Sequence, residues 1–130
     1  MKEAEIENYF VWSVEFMGGK AYKFKTPNNR GVSDRVVALP NGSTWFVELK
    51  RPKGGKLSPL QVIFRDEVVD LHQKYALLNT KEKIDEWAEE MKKIRDAQKI
   101  EKEEWQELLK QGWKIDMNGN KYKPEEVFND

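Results

Sequence analysis

Apolar positions along the chain alternate between helical spacing and period two, in an order that outlines a fold. Ile6, Phe10, Val14 and Met17 form one stripe of a helix over residues 3 to 17, and Gly18-Gly19 follow as its stop signal. "KAYKFKT" then alternates apolar with basic, which predicts a strand with Tyr22 and Phe24 turned inward and Lys23 and Lys25 outward, before the loop "PNNRG". Residues 34 to 39 and 44 to 50 are two β-rich runs joined by "PNGS", a hairpin. The basic loop "RPKGGKLS" leads into a helix with Ser58 as N-cap and Pro59 in its first position, running through Gln61, Phe64, Val68 and Leu71. "YALLNT" has strand length, and Thr80 opens another helix whose pattern passes Trp87, Met91, Ile94, Trp105, Leu108 and Leu109 before Gly112. Its middle, "KKIRDAQKIEKEE", is nearly all polar, so it is either a solvated helix or a break between two helices. The tail "WKIDMNGNKYK" predicts a small second hairpin around Asn118-Gly119.

Turn chemistry sharpens the first hairpin. A two-residue Asn41-Gly42 loop would set Asp34 opposite Leu49, off the face used by Glu48 and Lys50, because a one-residue slip reverses every side chain. Pro40 suits the first corner of a type I turn, and Gly42 suits the left-handed residue that closes a three-residue loop. Leu39 then pairs with Ser43, and Asp34 falls opposite Glu48, with Lys50 on the same face and Val36 and Phe46 as apolar neighbours. Two carboxylates directly opposed across strands repel one another.

Composition narrows the chemistry. The 130 residues suit a single core that needs no staples. There is no cysteine and one histidine, His72, which falls on the second helix beside Leu71; disulfides, thiolate chemistry and a zinc site are not expected. No apolar run has the length of a membrane span, and "MKEAEIENYF" lacks the order of a signal peptide, so a soluble, cytoplasmic protein is expected. Basic and acidic residues balance at 23 each, yet residues 20 to 56 carry nine basic residues against only Asp34 and Glu48. Such a segment can contact phosphates in a neutral protein, since affinity arises from local counterion release. A divalent cation would reconcile the two carboxylates: with water and phosphate oxygens they make a hard oxygen site for Mg²⁺ or Mn²⁺. Lys50 could then orient or deprotonate a polarised water, or neutralise charge on a phosphate. The plainer alternative is a turn-capping Asp34 beside a strand-end ion pair.

"GVSDRVVALPNGSTWFVELKRPKGGKLSPLQ" resembles the core of the virus-type replication and repair nuclease family, VRR-NUC, within the PD-(D/E)xK restriction-endonuclease-like superfamily. Gly31, Asp34, Gly42, Glu48, Lys50 and Gln61 carry the likeness, and "EAEIENYF" and "GGKAYKFKTPNNRG" extend it upstream, so that it covers about residues 3 to 80. Ser33 stands where the family usually has proline, and Gln73 or Lys74 where a glycine often precedes the last core strand. The resemblance implies an α/β fold with an αβββαβ core over residues 1 to 95, a mixed central sheet flanked by helices, and a helical and hairpin C-terminal extension over 96 to 130. Trp87, Trp105 and Trp113 place that extension either on the core or at a dimer interface.

It further implies a Mg²⁺-dependent deoxyribonuclease, short and phage-type, acting as a homodimer on branched DNA such as Holliday junctions. Asp34 and Glu48 would be metal ligands with the Leu49 carbonyl, Lys50 the catalytic lysine, and Gln61 would stand within reach. Either Glu3 or Glu7, one turn apart on the first helix, would join them, Glu3 being slightly preferred. Lys23, Lys25, Arg30, Arg35, Arg51, Lys53 and Lys56 would grip the DNA backbone. The alternatives are a non-catalytic nucleic-acid-binding module of the same fold, or a nuclease acting on ordinary duplex or ends.

Overall fold

A computed structural model describes residues 1 to 28 and 31 to 124; Arg30 lies outside them. The order is α1 (Glu3–Phe16), β1 (Lys20–Lys23), β2 (Arg35–Ala38), β3 (Thr44–Leu49), α2 (Pro59–Asp70), β4 (Lys74–Leu78), α3 (Lys81–Lys110), β5 (Lys114–Ile115) and β6 (Lys121–Tyr122). Strands β1 to β4 form one sheet in that order, with β1, β2 and β3 antiparallel and β4 parallel to β3. The mixed sheet flanked by helices matches the expected core.

The end of α1 and the start of α2 follow their sequence signals. In α1 the Gly19 N–H reaches back to the Val14 carbonyl (2.9 Å) while Gly18 takes φ +92°, so the chain reverses into β1. In α2 Ser58 and Gln61 form a reciprocal capping box, and Pro59 occupies the first turn, where no amide partner is needed. The first hairpin adopts the three-residue loop: Ala38 pairs with Thr44, the Leu39 N–H donates to the Ser43 carbonyl (3.0 Å), and Gly42 takes φ +84°. Asn41 is buried within the loop, its carboxamide oxygen accepting from the Ser43 amide (2.9 Å) and its nitrogen donating to the Met91 carbonyl (3.4 Å).

Period two divides the sheet into two faces. Val37, Val47, Leu49 and Leu78 form one, buried with Ile6, Phe10 and Val14 of α1 and Ile84, Trp87 and Met91 of α3. Val36, Phe46 and Tyr75 lie in register on the other, where Phe24, Phe46 and Phe64 meet with ring centroids 5.6 to 6.1 Å apart.

Three expectations are corrected. Tyr22 is not turned inward: it is exposed on edge strand β1, with the Lys20 ammonium over its ring, and only Phe24 is sheltered. Leu71 caps α2 and is 68% exposed, since the helix is covered only along Phe64 and Val68. His72 lies beyond the helix in left-handed conformation (φ +61°), doing the work of the glycine absent here, while the Gln73 N–H closes on the Val68 carbonyl. Of the two places open to Trp87, the structure shows the core: it is 8% exposed, its ring tilted against Phe10 and edge-on to Trp45.

Helix α3 is continuous through its polar middle, over 30 residues. The chain divides into two compact units, the first from Met1 to Lys93 and the second beginning at Ile94. In the second unit, the Trp113 N–H returns to the Leu108 carbonyl past Gly112, and β5 and β6 form the expected hairpin. Its turn is fastened by the Asp116 carboxylate, which accepts from the Asn118 and Asn120 amides (2.9 and 2.8 Å). Lys121 lies over the Trp105 ring.

Candidate active site

The hairpin register sets the site. Continuing the pairing of Arg35 with Val47 one residue outward places Asp34 opposite Glu48, at the sheet end where β3 runs into the basic loop. Asp34 sits before β2 on a short turn from Gly31. A Cβ at Gly31 would meet the Leu60 carbonyl oxygen at 2.4 Å, so only glycine lets this turn lie against the start of α2. Ser33, in the position of the family's proline, is buried and donates its hydroxyl to the Arg35 carbonyl (3.2 Å), so a hydrogen bond fastens the turn in place of a ring.

One Asp34 carboxylate oxygen accepts from the Leu49 amide (2.8 Å), tying β2 to the end of β3. Glu48 is 1% exposed and accepts from the Gln61 carboxamide nitrogen (3.1 Å), with the Lys50 ammonium 3.5 Å from the same oxygen. The other end of Gln61 accepts from the Ser58 amide (2.8 Å), so one side chain both caps α2 and holds the carboxyl. Burial pushes the Glu48 carboxyl up, the facing Asp34 adds to this, and Lys50 opposes both; the result is about 8. Tyr75, one strand further on, is pushed to about 12, first by burial and then by the Glu48 charge.

Two cavities flank the pair. One of about 480 Å³ is lined by Glu7, Lys23, Lys25, Ser33, Asp34 and Gln61, among others. The other, about 190 Å³, is lined by Glu3, Lys50, Arg51, Gly54, Gly55 and Lys56. Glu3 and Glu7 thus open on different sides, Glu7 beside Asp34 and Glu3 beside Lys50. The basic residues divide likewise. Lys23, Lys25, Arg51, Lys53 and Lys56 are exposed near the site, with the Arg51 guanidinium donating to the Lys53 carbonyl (2.9 Å) to curl the loop. Arg35 is not available as a phosphate contact, being held by the Glu7 carboxylate at 2.7 Å with its side chain 12% exposed.

Sequence reasoning missed one pairing and one residue here. The pairing of Arg35 with Glu7 spans 28 positions, and Tyr75 reaches the site face only through the parallel pairing of β3 with β4; neither leaves a local signal. Among the described residues no group of three histidine, cysteine, aspartate or glutamate side chains converges as a ready metal cage. Instead the site offers two opposed carboxylates, a hard oxygen donor set holding more negative charge than its burial tolerates. A proton on Glu48 relieves that charge, and a cation would relieve it equally well.

No protein-family model matches the chain. A solved structure described as a VRR-NUC domain superposes with a TM-score of 0.64 at 26% identity, over 68% of this chain and 96% of that one. A protein of Acyrthosiphon pisum secondary endosymbiont phage 1, titled "Putative nuclease p44", is 52% identical over 62 residues. The chain thus resembles VRR-NUC domains in fold and this phage protein in sequence. The stretch matched to the phage relative covers 48% of this chain and 66% of that protein, just under two thirds of its length. No helix among the described residues is long and apolar enough to cross a membrane.

Proposed function

We propose that this chain is a metal-dependent endonuclease of the VRR-NUC kind that hydrolyses DNA phosphodiester bonds, acting on branched DNA of the Holliday-junction kind. The observation that carries the hydrolytic reading is the buried Glu48, faced by Asp34 and joined by Lys50 and Gln61 at one sheet end. The Asp34 carboxylate accepts from the Leu49 amide, but facing a buried Glu48 it costs stability unless a proton or a cation relieves the charge. The relative's title and the VRR-NUC structure support the same reading. The branched-DNA preference and a homodimeric state rest on the family resemblance alone.

Asp34 and Glu48 would hold Mg²⁺ or Mn²⁺ together with the Leu49 carbonyl. When bound, the ion supplies Lewis-acid polarisation of a phosphate oxygen and a more acidic water. Gln61 fixes one Glu48 oxygen, so the carboxylate cannot swing away. Lys50, 3.5 Å from Glu48 and largely buried, places a positive charge where a phosphate would enter, and can orient the attacking water or offset charge that develops on the phosphorus oxygens. Lys23 and Lys25 line one cavity and Arg51 and Lys56 the other, and with Lys53 of the same loop they would hold flanking phosphates.

The test incubates the purified protein with Mg²⁺ or Mn²⁺ and labelled duplex, flap, splayed-arm and four-way-junction DNAs, beside Lys50→Ala and Asp34→Ala. Cleavage by wild type, lost by both variants, is expected. Equal activity or equal inertness across all three would sink the nuclease reading, and cleavage of plain duplex as fast as of junctions would sink the branched-DNA part.

A further inference from the structure

We propose that Arg35 is a positioning residue of the active site, aiming the Glu7 carboxylate into the cavity that holds Asp34 and Gln61. The inference rests on the nuclease reading above and adds a residue to it. Asp34 and Arg35 are neighbours in sequence, so their side chains leave opposite faces of the sheet. Asp34 turns toward Glu48. Arg35 turns toward α1, where its Nε and Nη2 both donate to Glu7 Oε1, at 3.1 and 2.7 Å. Its remaining arm, Nη1, donates to the Ala21 carbonyl of β1 (3.1 Å), so the guanidinium plane is fixed by the sheet rather than by Glu7 alone.

This arrangement does three things. It brings α1, β1 and β2 to one point, so that a glutamate on a helix keeps a set place relative to a carboxylate beside a strand. It takes up one oxygen of Glu7, at a cavity that this residue lines together with Asp34, Gln61, Lys23 and Lys25. It also consumes the cation: a side chain 12% exposed with three bonds made is placed to brace rather than to grip a phosphate. Lysine cannot replace it, because one ammonium does not reproduce the fork that spans a carboxylate and a backbone carbonyl. Glu3, beside the basic loop in the other cavity, lies outside this brace. Two consecutive residues of the chain would thus serve one site from two faces, Asp34 directly and Arg35 through Glu7.

The test is a double-mutant cycle on the full chain with Glu7→Gln, Arg35→Met and the double variant, with Arg35→Lys as a milder fourth. Mn²⁺ affinity is measured by calorimetry without DNA, cleavage kinetics with it, and melting in chelator. Glu7→Gln keeps an acceptor for Arg35, so its fold should persist. Each single change is expected to weaken Mn²⁺ binding about tenfold, the scale seen when a supporting partner of a metal ligand is removed. The double variant should be no weaker than Glu7→Gln, because both remove the same contribution. The inference is overturned if Arg35→Met lowers melting yet leaves Mn²⁺ affinity and kcat within about twofold of wild type, or if the two losses multiply. Should Arg35→Met not fold, Arg35→Lys takes its place in the cycle under the same criteria. Wild type that neither binds Mn²⁺ nor cuts DNA overturns the nuclease reading and this inference with it. Wild type that does both, with Glu7→Gln unaffected, overturns this inference alone.

Discussion

Glu48→Gln should stabilise the metal-free protein at neutral pH while abolishing cleavage. Glutamine matches the protonated acid in shape: its oxygen can accept from Gln61 as Glu48 does now, and its amide can donate toward Asp34. The native carboxyl is raised from 4.5 to about 8, so the folded state holds a proton that the unfolded chain has released. Between those values the folded state binds more protons than the unfolded one, so wild type loses stability as pH rises. Below about pH 4.5 the two proteins should be alike. At pH 7, about 2.5 pH units above the ordinary value and at ~1.4 kcal/mol per unit, the variant should gain up to about 3 kcal/mol, levelling off above pH 8. For a chain of this size that is roughly 10 °C in melting temperature. Thermal and urea unfolding in chelator, from pH 5 to pH 9, measure the difference. A gain that does not grow with pH, or a variant less stable than wild type at pH 8, would refute the claim that Glu48 is held as a neutral acid between burial and Asp34.

Other outcomes follow from the same geometry. Mn²⁺ affinity should fall about tenfold for each pH unit below 8, since the ion displaces the Glu48 proton, and calorimetry in buffers of different ionisation enthalpy should detect that proton's release. Gly31→Ala should cost about 2 kcal/mol and slow cleavage tenfold or more, because its methyl would press on the Leu60 carbonyl and displace the first turn of α2 with Gln61; unchanged melting and kinetics would refute this. His72→Gly should raise stability by about 0.5 to 1 kcal/mol, the left-handed strain it relieves exceeding the chain entropy it adds, as measured by urea unfolding.

What could be foreseen was local. Pro40-Asn41-Gly42 specifies its own turn, and the turn fixes the register that brings Asp34 to Glu48; three adjacent residues therefore disclosed an arrangement of side chains 14 positions apart. Ser58, Pro59 and Gln61 did the same for the start of α2. Residues whose surroundings depend on distant packing could not be read this way. Arg35 looked like one more cation in a basic segment, and only the docking of α1 makes it a partner of Glu7. Trp87 shares the stripe of a long helix with Trp105, and periodicity alone does not say which turn meets the sheet. His72 looked helical because nothing in a lone histidine announces a left-handed backbone.

Because Gln61 caps the Ser58 amide with one end and holds Glu48 with the other, fraying of the first turn of α2 and loosening of the site carboxyl are a single opening event. The exchange rate of one backbone amide, Ser58, would therefore count how often the site comes apart, at a position exposed to solvent and readable without substrate or metal.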